Sequence, residues 1–237
     1  MGKRLTKNMD LEKGQEILHK PYAEVAESLM YAMLCTRPDL AYPVSLVSRY
    51  QSNPSQAHWE AVKRIMKYLK GTLHHKLVYR EDALDIIGYY DVDLGGDKDD
   101  GKSTSGHLFI LTGAAVCWGS KKQGCVVRYT QEAEYVACSM SAIHAVWIRR
   151  FLLELNLNLV NRPIEIYCDN TSTINLIYSG ANSSNGQHIE LQYHYIHDIV
   201  VEKEEVKVTY IPTTDMLADS LTKAILAETF IKHVSLM

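Results

Sequence analysis

The sequence predicts an α/β fold: a mixed five-stranded sheet with flanking helices, preceded by a small helical subdomain. Three observations predict it. From Tyr22 to about Arg80 the apolar residues recur at helical spacing. Past residue 84 the pattern changes to short apolar runs in hairpin order, Asp85–Asp93, Gly106–Leu111 and Ala114–Trp118. A long amphipathic segment then separates these from two further strand-like runs, which gives β-α-β alternation and a sheet with helices on its faces.

Taken in order, residues 1–20 are polar and unpatterned and read as a loose lead-in. Tyr22, Val25, Leu29, Met30 and Met33 line one helix, and Arg37–Leu40 is a turn that restarts a second. Asn53-Pro54-Ser55 opens another helix, with Trp59, Val62, Ile65, Met66 and Leu69 on one face before Gly71 stops it. These make a helical subdomain over 21–80, and the composition shift at Glu81–Leu84 marks a boundary before a second domain, 84–237. There, Asp97–Lys102 is a turn, Thr112-Gly113 joins a hairpin, Gly119–Gly124 is a basic loop and Cys125–Tyr129 a short strand-like piece. A helix over Gln131–Leu155 turns Tyr135, Cys138, Ile143, Trp147, Phe151 and Leu152 inward. Pro163–Cys168 is a buried strand, Asn170–Tyr178 a helix, Ser179–Gln187 a polar loop and His188–Val201 a helix. Val206–Ile211 is a strand, and Thr214–Lys223 ends the pattern as a helix or helical turn.

Length and charge narrow the classes. The 237 residues can bury one large core or two smaller ones. A net charge of −3 is no signature of a nucleic-acid binder, but Lys63, Arg64, Lys67, Lys70, Lys76 and Arg80 form a local basic face with no acid between them. A solvated helix surface explains the same charges. Five cysteines, at 35, 117, 125, 138 and 168, contain no Cys-x-x-Cys pair, which argues against zinc or a disulfide framework and for a reduced compartment. The amino terminus has no apolar core for a signal peptide, and no stretch reads as a membrane span. The expectation is a soluble intracellular protein without a membrane partner.

The chemistry lies in the acids. Asp91 closes an apolar strand, with Asp93 as the alternative, and Asp169 closes another; Glu134 sits near the start of the long helix and Asp219 in the last one. Carboxylates from four separate elements are what two divalent ions need to be surrounded. If the long helix returns the chain parallel to the first strand, Asp91 and Asp169 meet at the carboxyl edge of the sheet, where ligands of open α/β sheets bind. Such a cluster repels itself, so without metal at least one carboxyl holds its proton above the usual range. Each acid also has a plain explanation, as a strand end, a first-turn acid or a helix cap. His194 and His197 come together at helical spacing beside His188, but with no third convergent ligand a zinc reading is rejected. Cys168 reads as a small core residue and not as a nucleophile.

The sequence also resembles a known family. SLMYAMLCTRPDLAY (28–42), NPSQAHWEAVKRIMKYLKGT (53–72), GYYDVDLGGD (88–97), STSGHLFIL (103–111), WGSKKQ (118–123), QEAEYVACSMSAIHAVWIRRFLLEL (131–155), YCDN (167–170), the His188-Ile189 and Tyr193-His194 pairs, and LADSLTK (217–223) are similar to the carboxyl-terminal part of copia-type retrotransposon Pol polyproteins. The resemblance implies a reverse transcriptase tail for 21–80 and a ribonuclease H-like domain for 84–237. It implies Asp91, Glu134, Asp169 and Asp219 as catalytic, metal-binding acids. Glu134 is preferred to Glu132 because Ala133–Ala137 is similar to the start of the corresponding helix in retroviral ribonuclease H. Leu94, Gln131, Gln187 and Gln192 depart from the family pattern, and no Tyr-x-Asp-Asp polymerase motif, Cys-Cys-His-Cys knuckle or retroviral-type protease motif is present.

The resulting expectation is an endonuclease that hydrolyses the RNA strand of an RNA–DNA hybrid with two Mg2+ ions, Mn2+ being the alternative, and that does not polymerise DNA. Two ions about 3.5–4 Å apart would leave products with a 5′-phosphate and a 3′-hydroxyl. Lys121, Lys122 and Asn170 are the expected substrate-binding residues, and the upstream reverse transcriptase portion is the expected protein partner. The expected setting is the cytoplasm, a virus-like particle or the nucleus. The competing expectation is a non-catalytic nucleic-acid-binding remnant of a truncated element.

Overall fold

The computed structural model describes residues 5–7, 19–80, 85–124, 126, 130–155, 162–179 and 194–237. Three helices come first: α1 (Tyr22–Thr36), α2 (Ala41–Ser48), entered through a 3-10 turn at Pro38–Leu40, and α3 (Gln56–Gly71). Helix α3 begins where the sequence punctuates it. The Ser55 backbone N–H donates to Nδ1 of His58 at 2.8 Å, and the buried His58 ring stacks on Tyr50. Tyr22, Ala26, Leu29, Val44, Val47, Val62 and Ile65 close this helical core.

The sheet runs β3-β2-β1-β4-β5, from strands β1 (Ile86–Asp93), β2 (Thr104–Leu111), β3 (Ala114–Lys122), β4 (Ile164–Cys168) and β5 (Val206–Tyr210). β1–β3 are antiparallel neighbours, and β4 and β5 continue the sheet parallel to β1. This is the mixed five-stranded sheet with flanking helices expected from the sequence. The β2–β3 hairpin turns through Thr112 (φ 50°) and Gly113 (φ 87°), both left-handed, as a two-residue loop with right-twisted strands requires. Strand β3 runs on to Lys122, so Gly119–Lys122 is sheet and not the expected basic loop.

Helix α4 (Thr130–Glu154) and α5 (Thr171–Ser179) cover one face, with residues 194–202 helical beside them and ending in a π-helical turn at Asp198–Glu202. Here one expectation fails. Ile143, Trp147 and Phe151 are exposed, and α4 instead seats Ala137, Ala142, Ala145, Val146 and Ile148 on the sheet. The small residues let the helix approach closely, so the bulky ones are left on the outer side. Among the described residues α4 is the one helix long and apolar enough to cross a membrane, contrary to the sequence reading; 56% of its apolar window is buried against the sheet as a core helix would be.

The short α6 (Asp219–Thr222) packs on the opposite face, followed by α7 (Ala227–Val234), which the sequence reading missed. Met216, Leu217, Ala218 and Leu221 bury against Leu108, Ala115 and Ala41, so α6 lies between the sheet and the helical layer. Trp118 Nε1 donates to the Met33 carbonyl at 3.0 Å, and Arg49 pairs with Asp97 at 3.0 Å, which adds polar ties between the helices and the sheet. The expectations for residues 8–18, the boundary at Glu81–Leu84, most of Cys125–Tyr129, the loop at 180–187 and His188 lie outside the described residues.

Gly106 of β2 is what allows α6 so close. A Cβ there would stand 2.7 Å from Thr222 Cγ2 and 2.9 Å from Leu221 Cβ. Gly106→Val is expected to lift α6 from the sheet at a cost of about 1–3 kcal/mol, the usual penalty of overpacking, measured as a lower denaturation midpoint in urea.

Candidate active site

The pairing of β1 with β4 sets the site. Ile87 lies opposite Glu165, Gly88 opposite Ile166 and Tyr89 opposite Tyr167. The same offset carried two residues on brings Asp91 alongside Asp169, the residue after β4 ends at Cys168. Helix α4 crosses behind β1 and delivers Glu134 to the same edge. Carboxylate oxygens of Asp91, Glu134 and Asp169 all lie within 4.8 Å of one another.

Asp91 and Glu134 are buried, with only 2% and 5% of their surface exposed, and Asp169 is half-buried. Asp93, the alternative to Asp91, folds its carboxylate over Gly96 in the following turn. Glu132 is the acid of the first turn of α4, whereas Glu134 is its fifth residue. Attraction to the positive helix end therefore belongs more to Glu132 than to Glu134, since it fades beyond the first turn.

Asp219 stands outside that mutual set but is wired to it. Lys223 Nζ is 2.8 Å from Asp219 Oδ1 and 3.4 Å from Asp91 Oδ2, and the Thr222 hydroxyl donates to Asp91. Thr213 donates its hydroxyl to Asp169 at 2.7 Å. The sequence reading assigned no role to Thr213, Thr222 or Lys223. For Lys223 a signal existed, because it follows Asp219 by four residues, the spacing at which opposite charges meet on a helix.

The crowding leaves an electrostatic mark. Burial first, then the charges of Asp91 and Asp169, push the Glu134 carboxyl up to about 9. Burial and Asp91 raise Asp219 to about 7. Burial alone would lower the Lys223 ammonium, but Asp91 and Asp219 outweigh it and hold that charge above its ordinary range. Glu134 Oε2 is buried with no hydrogen-bond partner among the described residues. A carboxyl with an unpartnered buried oxygen, clustered with two more carboxylates in an all-oxygen donor set, fits a hard divalent cation.

The expected substrate-binding residues are less concentrated. Lys121 and Lys122 lie on the edge strand β3, two strands away from β1. Lys122 pairs with Asp97 at 2.8 Å and Asp100 at 2.9 Å, whereas Lys121 is exposed. Asn170 accepts from the Thr173 backbone N–H at 3.1 Å and so caps α5. Cys168 is buried, and burial pushes its thiol up to about 12, as suits a core residue. His194 and His197 belong to no three-ligand cluster among the described residues.

Comparison with known proteins gives the kinship. No family model matches. Over 214 residues the chain is 42% identical to the retrovirus-related Pol polyprotein from transposon TNT 1-94 of Nicotiana tabacum, covering 90% of this chain and 16% of the relative. Over 203 residues it is 38% identical to the corresponding polyprotein from transposon RE2 of Arabidopsis thaliana, covering 85% of this chain and 14% of the relative. The chain belongs to the retrovirus-related Pol polyproteins of transposons. It spans only that small share of these curated relatives. Among solved structures, LC11 ribonuclease H1, isolated from compost by a metagenomic approach, aligns with 19% identity and a TM-score of 0.42, covering 63% of this chain and 97% of that one.

In this Pol-family chain the raised carboxyls make a pH signature. A carboxyl whose folded pKa lies above its unfolded value stabilises fully below the unfolded pKa and loses that contribution as pH rises through the folded one. Metal-free stability should therefore fall from about pH 4, where the unfolded carboxyls ionise, with the Asp219 contribution lost by about pH 7 and that of Glu134 by about pH 9. The lowered histidines, His107 and His144 among them, act in the opposite sense but only below their ordinary pKa of 6.5. Thermal melts in a chelator should show the decline, and Glu134→Gln should flatten most of it.

Proposed function

We propose that this chain is the ribonuclease H segment of a copia-type retrotransposon Pol polyprotein and hydrolyses the RNA strand of RNA–DNA hybrids. Asp91, Glu134, Asp169 and Asp219 are its catalytic and metal-binding residues, and the cofactor is a pair of Mg2+ ions, with Mn2+ as the alternative. The reading rests on one observation: acids from three elements each bring a carboxylate oxygen within 4.8 Å of the others, and Glu134 among them has a buried oxygen without a hydrogen-bond partner among the described residues. Kinship with the retrovirus-related Pol polyproteins of transposons supports the reading. Residues 21–80 are read as the tail of the reverse transcriptase, with the upstream polymerase portion as partner, in the cytoplasm, a virus-like particle or the nucleus.

When bound, the divalent ions would supply Lewis acidity and an activated water for in-line phosphodiester hydrolysis. The chain's own residues do the rest. Asp91 is fixed by its place in a central strand and by the Thr222 hydroxyl, and Asp169 is steadied by Thr213. Glu134 holds its proton well past neutral pH and Asp219 up to about pH 7, and both must be ionised for the site to hold cations. Lys223 keeps the acids compatible until then, and its ammonium has to yield to the stronger charge. Hybrid duplexes are near A-form and are read by shape, phosphates and 2′-hydroxyls; Lys121, Asn170 through its remaining amide donors, and Lys122 once released from Asp97 and Asp100, are the contacts assigned to that task.

Cleavage of an end-labelled hybrid in Mg2+ tests the proposal. The full chain should cut the RNA strand to leave 5′-phosphate and 3′-hydroxyl ends, and Asp169→Asn should lower the rate by about 100-fold or more, or roughly 3 kcal/mol of barrier. Cyclic phosphate ends would rule out attack by water. Binding without cutting by the unaltered chain would favour a non-catalytic nucleic-acid-binding remnant.

A further inference from the structure

A second cluster lies apart from the carboxylates. His107 in β2, Cys117 in β3 and His144 in α4 bring one ring nitrogen or sulfur each within 4.8 Å of the others. The imidazoles of His107 and His144 stack with centroids 4.3 Å apart and planes at 22°, and Cys117 Sγ is 4.0 Å from His144 Nδ1. Gly119 makes room for this arrangement, since a Cβ there would stand 2.6 Å from His107 Cε1. All three ligands are half-buried, shielded but within reach of solvent. His144 is ten residues beyond Glu134 on α4, roughly 15 Å along the helix at 1.5 Å per residue, so the two clusters are separate.

From this geometry we infer that His107, Cys117 and His144 form a binding site for a borderline-soft transition-metal cation of the Zn2+ class. Two nitrogens and one sulfur suit zinc or cobalt and not magnesium, whose preference is for oxygen. Ligand atoms around a tetrahedral ion with bonds of about 2.0–2.3 Å stand only a little closer together than these already do. Burial favours the neutral form of both imidazoles, so the one proton released on binding comes from the Cys117 thiol. Three protein ligands leave the fourth position to water or an exogenous ligand. An ion there would tie both strands of the β2–β3 hairpin to α4, and thereby brace the helix that carries Glu134.

Titration of the full chain with Co2+ tests the site, in millimolar Mg2+ to occupy the carboxylates. One equivalent should bring in a thiolate-to-cobalt charge-transfer band with the visible bands of a tetrahedral ion, and Zn2+ should erase both. Cys117→Ser, nearly isosteric, should lose the charge-transfer band, and His144→Gln should weaken Co2+ binding by about tenfold or more. Zn2+ should raise the melting temperature of the parent chain and not that of Cys117→Ser. A spectrum without a thiolate band, or an equal band in a folded Cys117→Ser, would overturn the assignment.

Discussion

Carboxylates forced together in a buried place repel, and the rest of this structure is arranged around holding Asp91, Glu134 and Asp169 against that repulsion. Oxygens within 4.8 Å of one another cannot all be charged at little cost where water is excluded. The fold meets the strain in two ways. Glu134 is held protonated up to about pH 9 and Asp219 up to about pH 7, and the Lys223 ammonium sits between Asp91 and Asp219. Both are weaker partners for clustered carboxylates than a divalent ion would be, which is the electrostatic basis for reading the cluster as a cation site.

Geometry keeps the acids from moving apart. Asp91 lies opposite Gly106 in the central strand, which β4 flanks on its other side up to Tyr89, so its backbone is held in the sheet. Asp169 follows directly from the neighbouring parallel strand, and the β1–β4 offset puts the two in line. Glu134 is carried by a helix whose alanines seat it close against the sheet. Asp219 depends on α6, which can lie where it does because Gly106 has no side chain to hold it off. A rigid strand, a strand end, a core helix and a docked turn each contribute one acid, and no local segment could do so alone.

Much of this could be read from residues. The change from helical spacing to hairpin order near residue 84 foretold the layered architecture, because a period of two and one of 3.6 bury different faces. The four acids stood out because each follows or interrupts an apolar run. Other features could not be seen. Trp147 and Phe151 looked like core residues, yet they stack on each other on the outer side of α4, since close packing selected the small residues of that helix for the sheet. Gly119–Lys122 looked like a loop because it is rich in lysine and glycine, but strand pairing with β2 keeps it extended.

The sequence by itself determined the fold class, the order of most elements and the residue types available for chemistry, because hydrophobic periodicity and turn chemistry are local properties of the chain. Tertiary structure alone decided which groups meet. It joined Lys223 and Thr222 to Asp91 across more than a hundred residues, tied Lys122 to Asp97 and Asp100, and assembled His107, Cys117 and His144 where no Cys-x-x-Cys spacing announced ligands. Distance between side chains depends on register, helix packing and the clearance left by a glycine, and these are set by many residues at once.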